Sequence, residues 1–115
     1  MDTYHKELAS GGWNALTLPE QMANIGSEVH RAITWFKKKD KERFQNAFYR
    51  ALELFDLTLE DIKLQGRRKE IARSREVFCE LLINPEYSNN LNNELASFDN
   101  YFLQFGMFVR LKRDL

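Results

Sequence analysis

Hydrophobic residues recur at intervals of three and four along most of the chain, which is the spacing of amphipathic helices. The pattern predicts four helices, over residues 18–38, 41–64, 67–83 and 91–112, behind an irregular leader over residues 1–16. No strand-like alternation of useful length and no linker-like stretch interrupts it. Short connections favour antiparallel neighbours. The predicted fold class is therefore an all-α, antiparallel up-and-down four-helix bundle over residues 17–115.

Polar residues, glycine and proline set the predicted helix boundaries. Thr17 and Glu20 form a capping-box pattern at the start of the first helix. The apolar stripe of the second helix runs on to Ile62, and Gly66 is placed to terminate that helix. The third helix is expected to stop before Asn84-Pro85, because the residue before proline disfavours the helical region.

The last helix is apolar nearly all round in its C-terminal half. Beyond a regular stripe from Leu91 to Val109 it carries further apolar residues on other faces, so it must be covered on more than one side. We expect a self-association interface there, formed by Tyr101, Phe102, Phe105, Met107 and Phe108. The alternative is that the leader, with Leu8, Trp13 and Leu16, folds back over this face. The interior glycine Gly106 indicates either a close approach by a neighbouring group or a tolerated exception.

Composition narrows the functional classes. Seventeen basic residues balance seventeen acidic ones, so no global field draws the protein to nucleic acid or to anionic membranes. The single cysteine, Cys79, cannot form an internal disulfide and fits a reducing compartment. No signal core or membrane-length apolar run is present, which favours a cytoplasmic protein without membrane contact.

One segment at the start of the third helix is locally basic. It contains five cations within nine residues and could grip phosphates, which makes nucleic acid a possible partner; these residues are Arg67, Arg68, Lys69, Arg73 and Arg75. The alternative is a solvated face whose charges pair with carboxylates on neighbouring helices.

Two further patterns in the sequence are candidates for metal binding or catalysis. Glu28 with Glu53 and Asp56 resembles part of the magnesium-binding carboxylate set of all-α nucleotide pyrophosphohydrolases, although the Glu-Glu-x-x-Glu run of those enzymes is missing. His30 has no metal-ligand partner at helical spacing. We therefore predict no catalytic residue, metal or cofactor.

The stretch from Asn24 to Leu59 contains Asn-Ile-Gly-Ser-Glu, a Lys-rich turn, and then Phe44, Phe48 and Ala51. It resembles the four-helix-bundle proteins encoded in 23S rRNA intervening sequences, some relatives of which are accessory proteins of diversity-generating retroelements. The resemblance implies a ring-like homo-oligomer and contact with RNA or a reverse transcriptase.

The leading hypothesis from sequence is a non-enzymatic interaction or accessory module that self-associates, or binds a protein partner, through its last helix. The first alternative is weak RNA or other nucleic-acid binding through the basic segment. The second is metal-dependent nucleotide hydrolysis.

Overall fold

The computed structural model describes residues 11–114 and confirms the predicted fold class. Four helices, α1 (Leu18–Lys37), α2 (Lys41–Glu60), α3 (Arg68–Ile83) and α4 (Leu91–Asp114), pack together. Two short 3₁₀ segments, Ile62–Arg67 and Pro85–Tyr87, connect α2 to α3 and α3 to α4. No strand occurs between residues 11 and 114. Each observed helix falls at the position that the hydrophobic spacing indicates.

Helix α1 is the central element and packs closely against both α2 and α4. It begins with the predicted capping box, in which the Thr17 hydroxyl accepts from the Glu20 backbone N–H and the Glu20 carboxylate accepts from the Thr17 N–H. Gly26 sets its separation from α4. A Cβ atom at Gly26 would lie only 2.7 Å from the Cβ of Phe102, so the absence of a side chain lets the two helices approach.

Phenylalanine rings fill the space between the helices. Phe78 of α3 stacks on Phe48 of α2 at 5.0 Å and on Phe98 of α4 at 6.0 Å between ring centroids. Phe102 meets Phe55 edge to face at 6.1 Å. Helix α3 approaches its neighbours through these large rings rather than by close backbone contact. The high phenylalanine content therefore serves a thick internal core.

The predicted end of the second helix was wrong. α2 stops at Glu60, because Asp61 adopts an extended conformation and its carboxylate accepts from the Lys63 backbone N–H, which starts a 3₁₀ segment. Gly66 lies inside that segment and does not cap α2. Ile62, expected in the core, is 78% exposed. The local hydrogen bonds of an aspartate override the apolar period here.

The described part of the leader is anchored in the core by a buried polar network. The Trp13 indole Nε1 donates to the Thr58 hydroxyl at 2.9 Å, and the Gln21 amide donates to the Trp13 carbonyl at 3.0 Å and to Asp61 at 2.8 Å. Burial opposes ionisation of Asp61, but hydrogen bonds from Lys63 and Gln21 outweigh it and hold the pKa of the carboxyl below its ordinary value. Trp13 therefore fixes the leader to α1 and α2. The Leu8 part of the fold-back alternative lies outside the described residues.

No helix of the described chain combines the length and the apolar content that crossing a membrane requires.

Candidate interaction surface on the last helix

Helix α4 presents a hydrophobic strip to solvent on the side away from the core. Leu103, Met107 and Leu111 follow one another at spacings of four, and Phe108, three positions before Leu111, borders the C-terminal end of this row. Their exposed fractions are 59%, 56%, 65% and 51% in the order Leu103, Met107, Leu111, Phe108. Residues three and four apart share a helix face. We call these four residues the exposed stripe.

The structure divides the predicted interface set. Phe102 is only 2% exposed and packs against α1 and α2, so its place in that set is corrected: it is a core residue. Tyr101 and Phe105 are half-buried and pack against the core. Met107 and Phe108 belong to the exposed stripe. Phe102 and Met107 are five positions apart, which places them on nearly opposite sides of a helix and explains the split.

Sequence reasoning left Leu103 and Leu111 out of the predicted interface. A signal for both was present, because each lies four positions from Met107 and neither belongs to the regular stripe that is buried. A helix whose apolar residues populate two opposite faces has a second face to bury.

Gly106 lies in α4 next to this stripe, and no contact within residues 11–114 explains it. A Cβ atom there would meet no heavy atom of these residues within 4 Å. The close approach expected at Gly106 is therefore absent within residues 11–114 and is found at Gly26 instead. Glycine in a helix interior costs about 1 kcal/mol relative to alanine. No contact within residues 11–114 offsets this cost in α4.

A groove runs between α1 and α4 beside Gly106. One part of it has a volume of about 320 Å³ and is lined by residues of both helices, among them Ser27, His30, Asp99, Leu103 and Gly106. An adjoining part shares Ser27 and Gly106 and continues along α4 to Arg110. The groove therefore opens directly beside the exposed stripe.

His30 bridges the two walls of this groove. Its Nδ1 lies 2.8 Å from Oδ2 of Asp99, and the imidazole is largely exposed. The contact joins α1 to α4 and accounts for a histidine that the sequence left without a partner. No Cys, Asp or Glu joins the pair, and no group of three or more His, Cys, Asp or Glu side chains among residues 11–114 is placed to hold a metal ion.

Most of the basic segment is engaged in ion pairs. Arg75 reaches Asp56 of α2, with Nε 2.9 Å from Oδ1, while Arg67 binds Glu70 at 3.0 Å. Arg73 lies 3.3 Å from Glu76 and 3.8 Å from Glu80. Arg68 and Lys69 are exposed. Only Arg75 pairs with a carboxylate on a neighbouring helix, which is the alternative that the sequence offered; the carboxylates that pair with Arg67 and Arg73 lie on α3 itself.

The carboxylates considered for magnesium are not assembled into one site. Glu28 is buried in α1 and bound to Arg31 at 3.0 Å, with its second oxygen lacking a hydrogen-bond partner. Asp56 is held by Arg75. Glu53, the third member of the set, lies on α2 and also takes part in an interaction within the protein. Neither Glu53 nor Asp56 is placed with Glu28 in a group able to hold a metal ion.

Three further ionisable side chains have shifted pKa values with structural causes. The Tyr101 hydroxyl donates to Glu70 at 2.7 Å, and burial together with this bond raises the pKa of Tyr101 to about 12. Hydrogen bonds from Arg67 and Tyr101 lower the pKa of Glu70. Partial burial raises the pKa of the Cys79 thiol, which makes it a poor nucleophile.

Comparison with known proteins identifies no family. No protein-family model matches the chain, and neither the curated proteins nor the solved structures contain a significant match. The resemblance to the 23S rRNA intervening-sequence proteins stays a prediction.

Proposed function

We propose that this protein is a helical-bundle interaction module that self-associates through the exposed stripe of α4. The observation that carries the proposal is that four large apolar side chains, each more than half exposed, lie together on one helix. Apolar patches of this kind mark association surfaces, and Phe and Met are enriched at the centre of an interface.

The size of the stripe sets the expected affinity. Complete burial of one such side chain contributes about 1.5–3 kcal/mol, and about half of each is left to bury. Complete burial of the exposed stripe on both copies would contribute roughly 6–12 kcal/mol of hydrophobic free energy to binding. Association itself costs on the order of 4–15 kcal/mol, so the net affinity is weak, with a Kd in the micromolar range or above.

The test is the molar mass in solution, measured by light scattering from a few micromolar to several hundred micromolar protein. We expect the mass to rise with concentration from one copy towards a closed oligomer. Met107→Glu should keep the protein monomeric over this range, because an interfacial carboxylate without a partner is expensive to desolvate.

The matched control is Ile62→Glu. Ile62 is also a well-exposed apolar residue, but it lies in the 3₁₀ segment and not on α4. This variant should associate like the unmodified protein. A wild-type chain that stays monomeric throughout, or an equal effect of both substitutions, would contradict the proposal.

A further inference from the structure

We propose that the partner of α4 is the α4 of a second copy, packed antiparallel in the groove beside the exposed stripe, with Leu103 of each copy lying over Gly106 of the other. This inference rests on the proposed self-association and specifies its geometry: Leu103 of the exposed stripe lies in the contact and Met107 flanks it, while Leu111 and Phe108 lie towards its edge. The experiments below separate a failure of the geometry from a failure of association.

The first argument is the order of residues along the α4 wall of the groove. Asp99, Leu103, Gly106 and Arg110 follow one another at steps of four, three and four, which places them on a single seam. All four line the groove between α1 and α4. Leu103 is well exposed and Gly106 leaves open space. The seam therefore contains one protruding side chain and one hole.

The second argument is that this seam is complementary to itself only when reversed. The steps of four, three and four read the same in both directions, so an antiparallel copy places Leu103 opposite the partner's Gly106 and Asp99 opposite the partner's Arg110. Two-fold interfaces require this kind of self-complementarity. A parallel copy would set Arg110 against Arg110 and leave both Gly106 positions empty.

The third argument is the charge distribution along the helix. Acidic Glu94 and Asp99 lie in the N-terminal half of α4, whereas Arg110, Lys112 and Arg113 lie in the C-terminal half. Antiparallel packing brings unlike halves together, and it also opposes the two helix dipoles. Asp99 has one oxygen bound to His30, which leaves its second oxygen to accept from an arginine.

The walls of the groove leave room for a second helix. Their lining includes the small residues Ala23 and Ser27 on α1 and Gly106 on α4, beside the larger His30 and Leu103. Small residues allow helix backbones to approach closely, as Gly26 already does between α1 and α4 within one chain. The absence of a side chain at Gly106, unexplained in the monomer, then has the same function between chains.

Charge reversal tests the register. Arg110→Glu and Asp99→Lys should each raise the dimer Kd about ten-fold, because each replaces two attractive pairs by repulsive ones. The double variant should return to within about three-fold of the wild-type Kd, since it restores both pairs with exchanged signs. Lys69→Glu on α3, an exposed cation outside the groove, is the matched control and should leave the Kd unchanged. Circular dichroism checks that each variant is folded.

Disulfide trapping tests the direction independently. In a Cys79→Ser background, Leu103→Cys and Gly106→Cys proteins are oxidised separately and as an equimolar mixture. Antiparallel packing places position 103 next to the partner's position 106, so the mixture should give a disulfide-linked heterodimer and neither protein alone should cross-link efficiently. Mass spectrometry of the linked peptides identifies the bridge.

The outcomes separate the two levels of the proposal. A dimer in which Leu103→Cys cross-links with itself, or in which the double charge reversal is no better than either single one, overturns the antiparallel register and leaves self-association intact. A wild-type chain that remains monomeric at every concentration contradicts both the self-association and its antiparallel register. Recovery of the Kd together with the 103–106 bridge establishes the inferred geometry.

Discussion

Gly26 and Gly106 offer the sharpest test of how this bundle is held together. Both are glycines within helices, but a Cβ at position 26 would lie 2.7 Å from the Cβ of Phe102, whereas a Cβ at position 106 meets nothing within 4 Å among residues 11–114. The same substitution to alanine should therefore be less favourable at position 26 than at position 106.

The magnitudes follow from two terms. Alanine gains about 1 kcal/mol over glycine in a helix interior, and this gain applies at both positions. At position 26 the clash is with the first atom of the Phe102 side chain, which cannot rotate away, so α1 and α4 must separate. Overpacking of this kind costs about 1–3 kcal/mol. Gly106→Ala should be more stable than wild type, and Gly26→Ala should be less stable than Gly106→Ala by the whole overpacking cost.

Urea unfolding followed by circular dichroism measures both variants, at a protein concentration where light scattering shows one copy. The difference between their unfolding free energies should be on the order of 1–3 kcal/mol, or roughly 4 °C in Tm for each kcal/mol. Equal stabilisation of the two variants would refute the close approach of α1 to α4 at Gly26. Destabilisation by Gly106→Ala would show that Gly106 is already contacted within the monomer.

Three further predictions concern the polar contacts. Trp13→Phe should destabilise the fold by about 1–3 kcal/mol, because the buried Thr58 hydroxyl loses its donor; combining it with Thr58→Val should cost less than the sum of the two single changes. The tyrosine absorbance titration should show the pKa of Tyr101 at about 12, and Glu70→Gln should lower that pKa while burial keeps it above 10. Because the pKa of Tyr101 is raised in the folded state, its contribution to stability should be lost as the pH rises above 10 towards 12. Asp61→Asn should destabilise the protein at neutral pH, and since the folded pKa of Asp61 is lowered, the gap to wild type should close as pH falls below the ordinary value of 3.8.

The helix that carries the candidate surface was predicted from the sequence, but the residues that form the surface were not. Helix α4 was identified from an excess of apolar residues, which composition and spacing make visible. The assignment of Phe102 to the interface failed because only the packed structure shows that the ring enters the core between α1 and α2. Leu103 and Leu111 were not assigned to the interface for the converse reason, since exposure is a property of the assembled bundle.

Four helices, their approximate bounds and the cap at Thr17 could be predicted from sequence alone. Those features depend on residue periodicity and on contacts within a few positions, which local sequence encodes. Tertiary packing settles three further features: Gly26, and not Gly106, mediates the close approach of α1 to α4; His30 contacts Asp99; and Arg75 pairs with Asp56. Each of these depends on which helix faces are turned towards one another. That orientation is fixed by the packing of rings from three helices, and no local pattern records it.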